Sequence, residues 1–131
     1  MATSNLLGVS PQSFVAGATI GQYRAVKLDT TANTVIVTAA IADLPIGVAL
    51  ISGVAGENIP VQQFGKAKCV ASASVSIGDE LMATASGAGK VSTLAGATAR
   101  GIGVALTAAT ADGDIIEVQL GAPALKSPVG S

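Results

Sequence analysis

The chain has 131 residues, of which 11% are charged, with a net charge of −1 and no histidine. That length predicts one domain with room for a core. The charge excludes binding to nucleic acid by phosphate neutralisation, because Lys66 and Lys68 are the closest basic pair. The lack of histidine excludes imidazole catalysis and imidazole metal ligation.

An ordinary soluble domain carries roughly 25% charged residues. So weakly charged a surface predicts that neighbours in an assembly cover much of it. The three aromatic residues, Phe14, Tyr23 and Phe64, leave the core to be built from aliphatic side chains.

Residues 1–18 match no other part of the chain. Leu6, Leu7 and Val9 are apolar points in a small, polar stretch that Pro11 breaks. They predict either a disordered leader or an extended N-terminal arm (1–18) that lies along a neighbouring subunit. Leu6, Leu7, Phe14 and Val15 are its candidate contacts to a neighbouring subunit. No positive charge precedes Arg24, so the charged opening of a secretory signal is not expected.

Tyr23 to Leu28 alternates in character and reads as a strand. Asp29 to Asn33 is a turn by composition, and Val35-Ile36-Val37 is the returning β-branched strand. Ile46 to Ile51 reads as a short strand buried on both faces, and Ser52 to Asn58 as a loop. In Ile59-Pro60-Val61-Gln62, the proline predicts a sheet edge or a bulge. The stretch 35–56 carries only one charge, Asp43. That charge, with Pro45 and three glycines, argues against a membrane span.

The chain then repeats itself. Ile46-Gly47-Val48-Ala49-Leu50 returns as Ile102-Gly103-Val104-Ala105-Leu106. Gly56, Ile59, Val61 and Gln62 return as Gly113, Ile116, Val118 and Gln119, and Ile20-Gly21 matches Ile77-Gly78. Residues 20–67 and 77–123 therefore read as two copies of one β-unit within a single domain, 19–123. Val48, Leu50, Val104 and Leu106 are expected inside. The extra residue in Gln62-Gln63-Phe64, set against Gln119-Leu120, predicts a bulge. Residues 124–131 read as a loose tail. No window sustains a helical period, and short strands at regular spacing predict an all-β barrel or sandwich.

No constellation for chemistry emerges. Cys69 has no second cysteine, hence no CxxC zinc site, and no imidazole base; it reads as a small buried hydrophobe. Gly87-Ala88-Gly89-Lys90 lacks the outer glycine and the Ser or Thr of a phosphate loop and reads as a hairpin turn. Asp112, Asp114 and Glu117 offer too few oxygens, in the wrong spacing, for calcium. The expectation is a protein that is no enzyme and uses no metal or cofactor.

The phrase Pro45-Ile46-Gly47-Val48-Ala49-Leu50, followed by Ala55-Gly56-Glu57 and Ile59-Pro60-Val61, resembles the capsid decoration, or cement, proteins of tailed bacteriophages, of the DUF2190-like kind. The second copy matches that pattern less tightly, since its loop is Asp112-Gly113-Asp114. The resemblance implies a small oligomeric β-subunit, a homotrimer, on the outer surface of a virion head. There its partners would be the major capsid protein and other copies of itself, with no nucleic acid or membrane bound. It carries no catalytic residues. The alternative is a fibre or adhesion module that binds surface carbohydrate.

Overall fold

The computed structural model describes residues 11–40, 43–84, 89–94 and 101–120. Among these the protein is all-β, with no helix. A first set of strands comprises β1 (Gln12–Ala16), β2 (Ala25–Leu28), β3 (Thr34–Val37), β4 (Gly47–Ala49) and β5 (Asn58–Gln62). They pair in the order β1-β3-β2-β4-β5, and β5 returns to β1 to close a barrel. A second set comprises β6 (Gly65–Val70), β7 (Glu80–Ala83), β8 (Val91–Thr93), β9 (Gly101–Ala105) and β10 (Ile115–Leu120). It forms a five-stranded sheet in the order β6-β10-β9-β7-β8.

Both sheets have the same connectivity. Read round the barrel from β1 through β5, the first is β1-β5-β4-β2-β3, which is the second sheet strand for strand. Registers agree as well: Val48 pairs with Gln62 and Ala49 with Val61, while Val104 pairs with Gln119 and Ala105 with Val118. The difference lies at closure. β1 and β3 pair at two positions, but among the described residues the β6 and β8 sides meet only at the Ala71–Val91 bridge. Into the remaining gap comes a piece of the first barrel. Val70 N–H donates to the Tyr23 carbonyl at 3.2 Å, and Ala25 N–H donates to the Gly89 carbonyl at 2.7 Å.

Local chemistry explains the strands. In β10, Ile116, Val118 and Leu120 point inward and Ile115, Glu117 and Gln119 outward, the period of a half-buried strand. The repeated phrase owes its form to close packing. A Cβ at Gly47 would run into the Gln62 carbonyl and lie 2.8 Å from Val61 Cγ1. A Cβ at Gly103 would run into the Gln119 carbonyl and lie 2.8 Å from Val118 Cγ1. Only glycine lets these strands approach so closely.

Two apolar clusters form. Ala16, Ile20, Val26, Val35, Ala49, Ile59 and Val61 fill the barrel. The other cluster gathers the second sheet's interior together with Ala25 and Val48. Those two residues face each other across β2 and β4 and point out of the barrel toward the second sheet. The junction is therefore a shared core.

Several expectations are corrected. Residues 12–16 of the expected arm are β1, the strand that closes the barrel, because their backbone is paired with both β3 and β5. Val48 is buried, but Leu50, Val104 and Leu106 are only half-buried. Leu50 and Leu106 lie just beyond their strands, where the chain turns away from the core. The extra residue near Phe64 makes no bulge; Gln63 and Phe64 link β5 to β6. The register shift falls instead between Leu81 and Met82.

Pro60 is not at an edge either, since β5 is flanked by β1 and β4. Its missing N–H leaves the Leu50 carbonyl without that donor, and Gln22 Nε2 donates there instead at 3.2 Å. Finally, Ile20 corresponds to Val75, two residues before Ile77. Each makes paired bonds with the matching loop residue, Gly53 or Ala109.

Leu81 is fully buried in the second sheet. Leu81→Ala should cost about 2–5 kcal/mol, whereas the half-buried Leu106→Ala should cost less than about 2 kcal/mol. Urea denaturation of the two variants checks the ordering. A larger loss for Leu106→Ala would contradict the placement of the core.

Candidate interaction surface

The acids come first, as the strongest candidates for ligand chemistry. Asp114 accepts hydrogen bonds from Thr110 N–H at 2.8 Å, Thr110 Oγ1 at 3.0 Å and Ala111 N–H at 3.1 Å. Its counterpart Glu57 accepts from Val54 N–H at 2.9 Å. The Ala-Gly-Glu loop and the Asp-Gly-Asp loop thus work alike, since in each an acid ties down its own turn. Asp112 instead meets Lys90 Nζ at 2.9 Å, and Glu117 meets Lys66 Nζ at 3.6 Å. The three carboxylates turn three ways, and among the described residues no group of three or more acids or cysteines is placed to hold a metal. Asp43 likewise ties Ala39 and Ala40 N–H groups and pairs with Lys27 at 3.1 Å.

Backbone donors hold the Asp43 and Asp114 carboxyls below the ordinary carboxylate range. Burial pushes the Cys69 thiol up to about 12, so it stays protonated among the core side chains.

The remaining candidates are contact surfaces. Leu6 and Leu7 lie outside the described residues. Phe14 and Val15 sit in β1, half-buried, and Phe14 packs against the barrel core. The backbone at Val15 is occupied, its N–H donating to the Asn33 carbonyl at 2.9 Å. A neighbour could reach only the outer parts of these two side chains.

The structure shows other exposed apolar residues that no sequence pattern singled out. Ile51, Val54, Ile77 and Ile115 are each about half exposed or more. Ile51 and Val54 lie between β4 and β5, Ile115 opens β10, and Ile77 precedes β7, beside Gly78, whose N–H donates to the carbonyl of Ala105 at the end of β9. Their counterparts in the other sheet are Thr107, Thr110, Gln22 and Asn58, all exposed and polar. The same backbone thus accepts a polar residue at each place, so the fold does not require the apolar ones. That internal comparison is the signal in the sequence that could have found them. Leu28, Leu44 and Phe64 form a second exposed set, at the opposite strand ends.

No protein-family model matches the chain, and no curated protein sequence does. In fold it is similar to the N base of the head fibre protein gp8.5 of bacteriophage phi29, known from a crystal structure. The TM-score is 0.66 at 16% identity, and the likeness covers 84% of this chain and 92% of that one. The two share a fold over most of each chain.

A pH dependence follows from the turn acids. The folded-state pKa values of Asp43 and Asp114 lie below the unfolded ones, so the contribution of these two is complete above about pH 4. It is lost as pH falls through the lowered folded values. Thermal unfolding should therefore be flat from pH 7 to 5 and fall below pH 4, and Asp114→Asn should flatten part of that fall. An acid profile unchanged by Asp114→Asn would show that this carboxylate does not stabilise its turn.

Proposed function

We propose that the protein is a structural virion component of a tailed bacteriophage. In this reading it binds the outside of the capsid and stabilises the assembled shell by bridging neighbouring capsid subunits. The observation that carries the reading is the fold likeness to a phage head-fibre base across 84% of this chain. Two features of the chain support it: the low charge, and the resemblance of the Pro45–Leu50 phrase to capsid decoration proteins. The protein acts without catalysis, metal or cofactor, as a self-associating subunit, a homotrimer, with the major capsid protein as its partner. Cementing works by mass action: a ligand that binds only the assembled shell stabilises it by its binding free energy. Many copies on one shell make modest single contacts sufficient.

A second reading is favoured by the same likeness, because the similar protein is the base of a fibre. The protein would then root a fibre on the head rather than clamp the shell.

Heads assembled without the protein separate the two. The cement reading predicts normal assembly but earlier DNA release on heating or osmotic shock, restored by adding purified protein. Heads that lack it yet hold their DNA as well as complete ones would contradict cementing and leave the fibre-base role. Density for the chain on the tail in cryo-EM maps of the virion would overturn both.

A further inference from the structure

Leu28, Leu44 and Phe64 stand at one end of three neighbouring strands. Leu28 ends β2, Leu44 lies just before β4, and Phe64 follows β5; the pairing order is β2-β4-β5. They are 56%, 60% and 51% exposed, high for large apolar side chains gathered at one end of a barrel. The second sheet offers a comparison. Ala83 occupies the place of Leu28 there, and it is buried. The chain covers this position in one sheet and leaves it open in the other.

The link that carries Phe64 is fixed. Gln62 Nε2 donates to the Phe64 carbonyl, and Gly65 turns the chain with a φ of +86°. Phe64 is thus held outward by its backbone.

The segment before β1 leaves the fold at this same place. Gln12 pairs with Val61, next to the last residue of β5. β1 runs antiparallel to β5, so the start of β1 lies beside the end of β5, next to the link that carries Phe64. Leu6 and Leu7 belong to that segment. Leu7 lies five positions before Gln12, a reach of at most about 17 Å. An apolar pair tethered within reach of an uncovered apolar barrel end, in a chain so weakly charged, suits exchange between copies.

We infer that the barrel end formed by Leu28, Leu44 and Phe64 is the docking site for the Leu6-Leu7 segment of a second copy of this chain. This deepens the self-association in the proposed function by naming the acceptor surface. It is tested on purified protein without capsids, so it can fail while the virion reading stands, and the reverse.

The chain contains no tryptophan, so Phe64→Trp provides a sole fluorescent reporter at the site. The expected result is a blue-shifted emission at high concentration that moves to the red on dilution, in step with loss of the oligomer by sedimentation. In the same background, Leu6→Ser with Leu7→Ser, or deletion of residues 2–10, should give red emission at every concentration and a loss of the oligomer. Circular dichroism should show the strands retained. If Phe64→Trp disturbs the fold, sedimentation of the Leu6→Ser, Leu7→Ser variant with Phe64 intact gives the same readout. Blue emission unaffected by dilution would place the segment on its own chain and overturn exchange. An oligomer that survives both leader variants would overturn the site.

Discussion

The second sheet depends on three residues of the first barrel. β6 and β8 part after the single Ala71–Val91 bridge, and Tyr23–Ala25 enters the gap. Without that segment the Val70 N–H and the Gly89 carbonyl would face each other across a gap or face water; unpaired groups of this kind are costly when buried. Gly89 shows how close the contact is. A Cβ there would lie 2.7 Å from both the Ala25 carbonyl oxygen and Arg24 Cβ, and its φ is +72°. Gly89 N–H in turn donates to the Thr38 carbonyl at 3.1 Å. Lys68 Nζ lies 5.8 Å from the centre of the Tyr23 ring on the outer side. With Ala25 and Val48 in the second sheet's core, the junction combines backbone bonds with shared apolar packing.

This arrangement gives one connectivity two outcomes. In the first copy the strands close on themselves. In the second they close around a neighbour, and the neighbour is the first copy. Regular pairing of this sort leaves few open sheet edges, which limits indiscriminate strand addition. It also leaves the loops at the strand ends to carry exposed residues on a rigid frame. The exposed isoleucines at places where the sister sheet has threonine, glutamine or asparagine fit that division of labour.

The legible part of the sequence was the part held by glycine under steric compulsion. Gly47 and Gly103 face the same carbonyl and the same valine methyl, so the phrase around them is preserved in both copies. The copies drift where a conformation can be met by different residues. Tyr23 and Gly78 occupy matching left-handed positions, with φ of 63° and 90°, and their N–H groups donate to the matching carbonyls of Ala49 and Ala105. Matching glycine to glycine therefore misaligned this stretch by two residues. β1 is not legible because Gln12–Ala16 and the corresponding part of β6 share their pairing but neither burial nor residue pattern. Pro60 misled for a related reason: the donor it lacks is replaced by Gln22, a residue remote in sequence. The spacing that rules Asp114 out as a calcium ligand does not reveal that it accepts from the Thr110 and Ala111 N–H groups of its own turn.

The central claim is that the two sheets are one cooperative unit joined through Tyr23–Ala25. Native-state hydrogen exchange measures this directly. The amides of Ala25 and Val70, which bond across the junction, should exchange only through global opening, with the same free energy and denaturant dependence as those of Ile59 and Leu81 in the two cores. Faster exchange at Ala25, Val70 and Leu81, with Ile59 still protected, would mean that the second sheet opens by itself and would contradict the account.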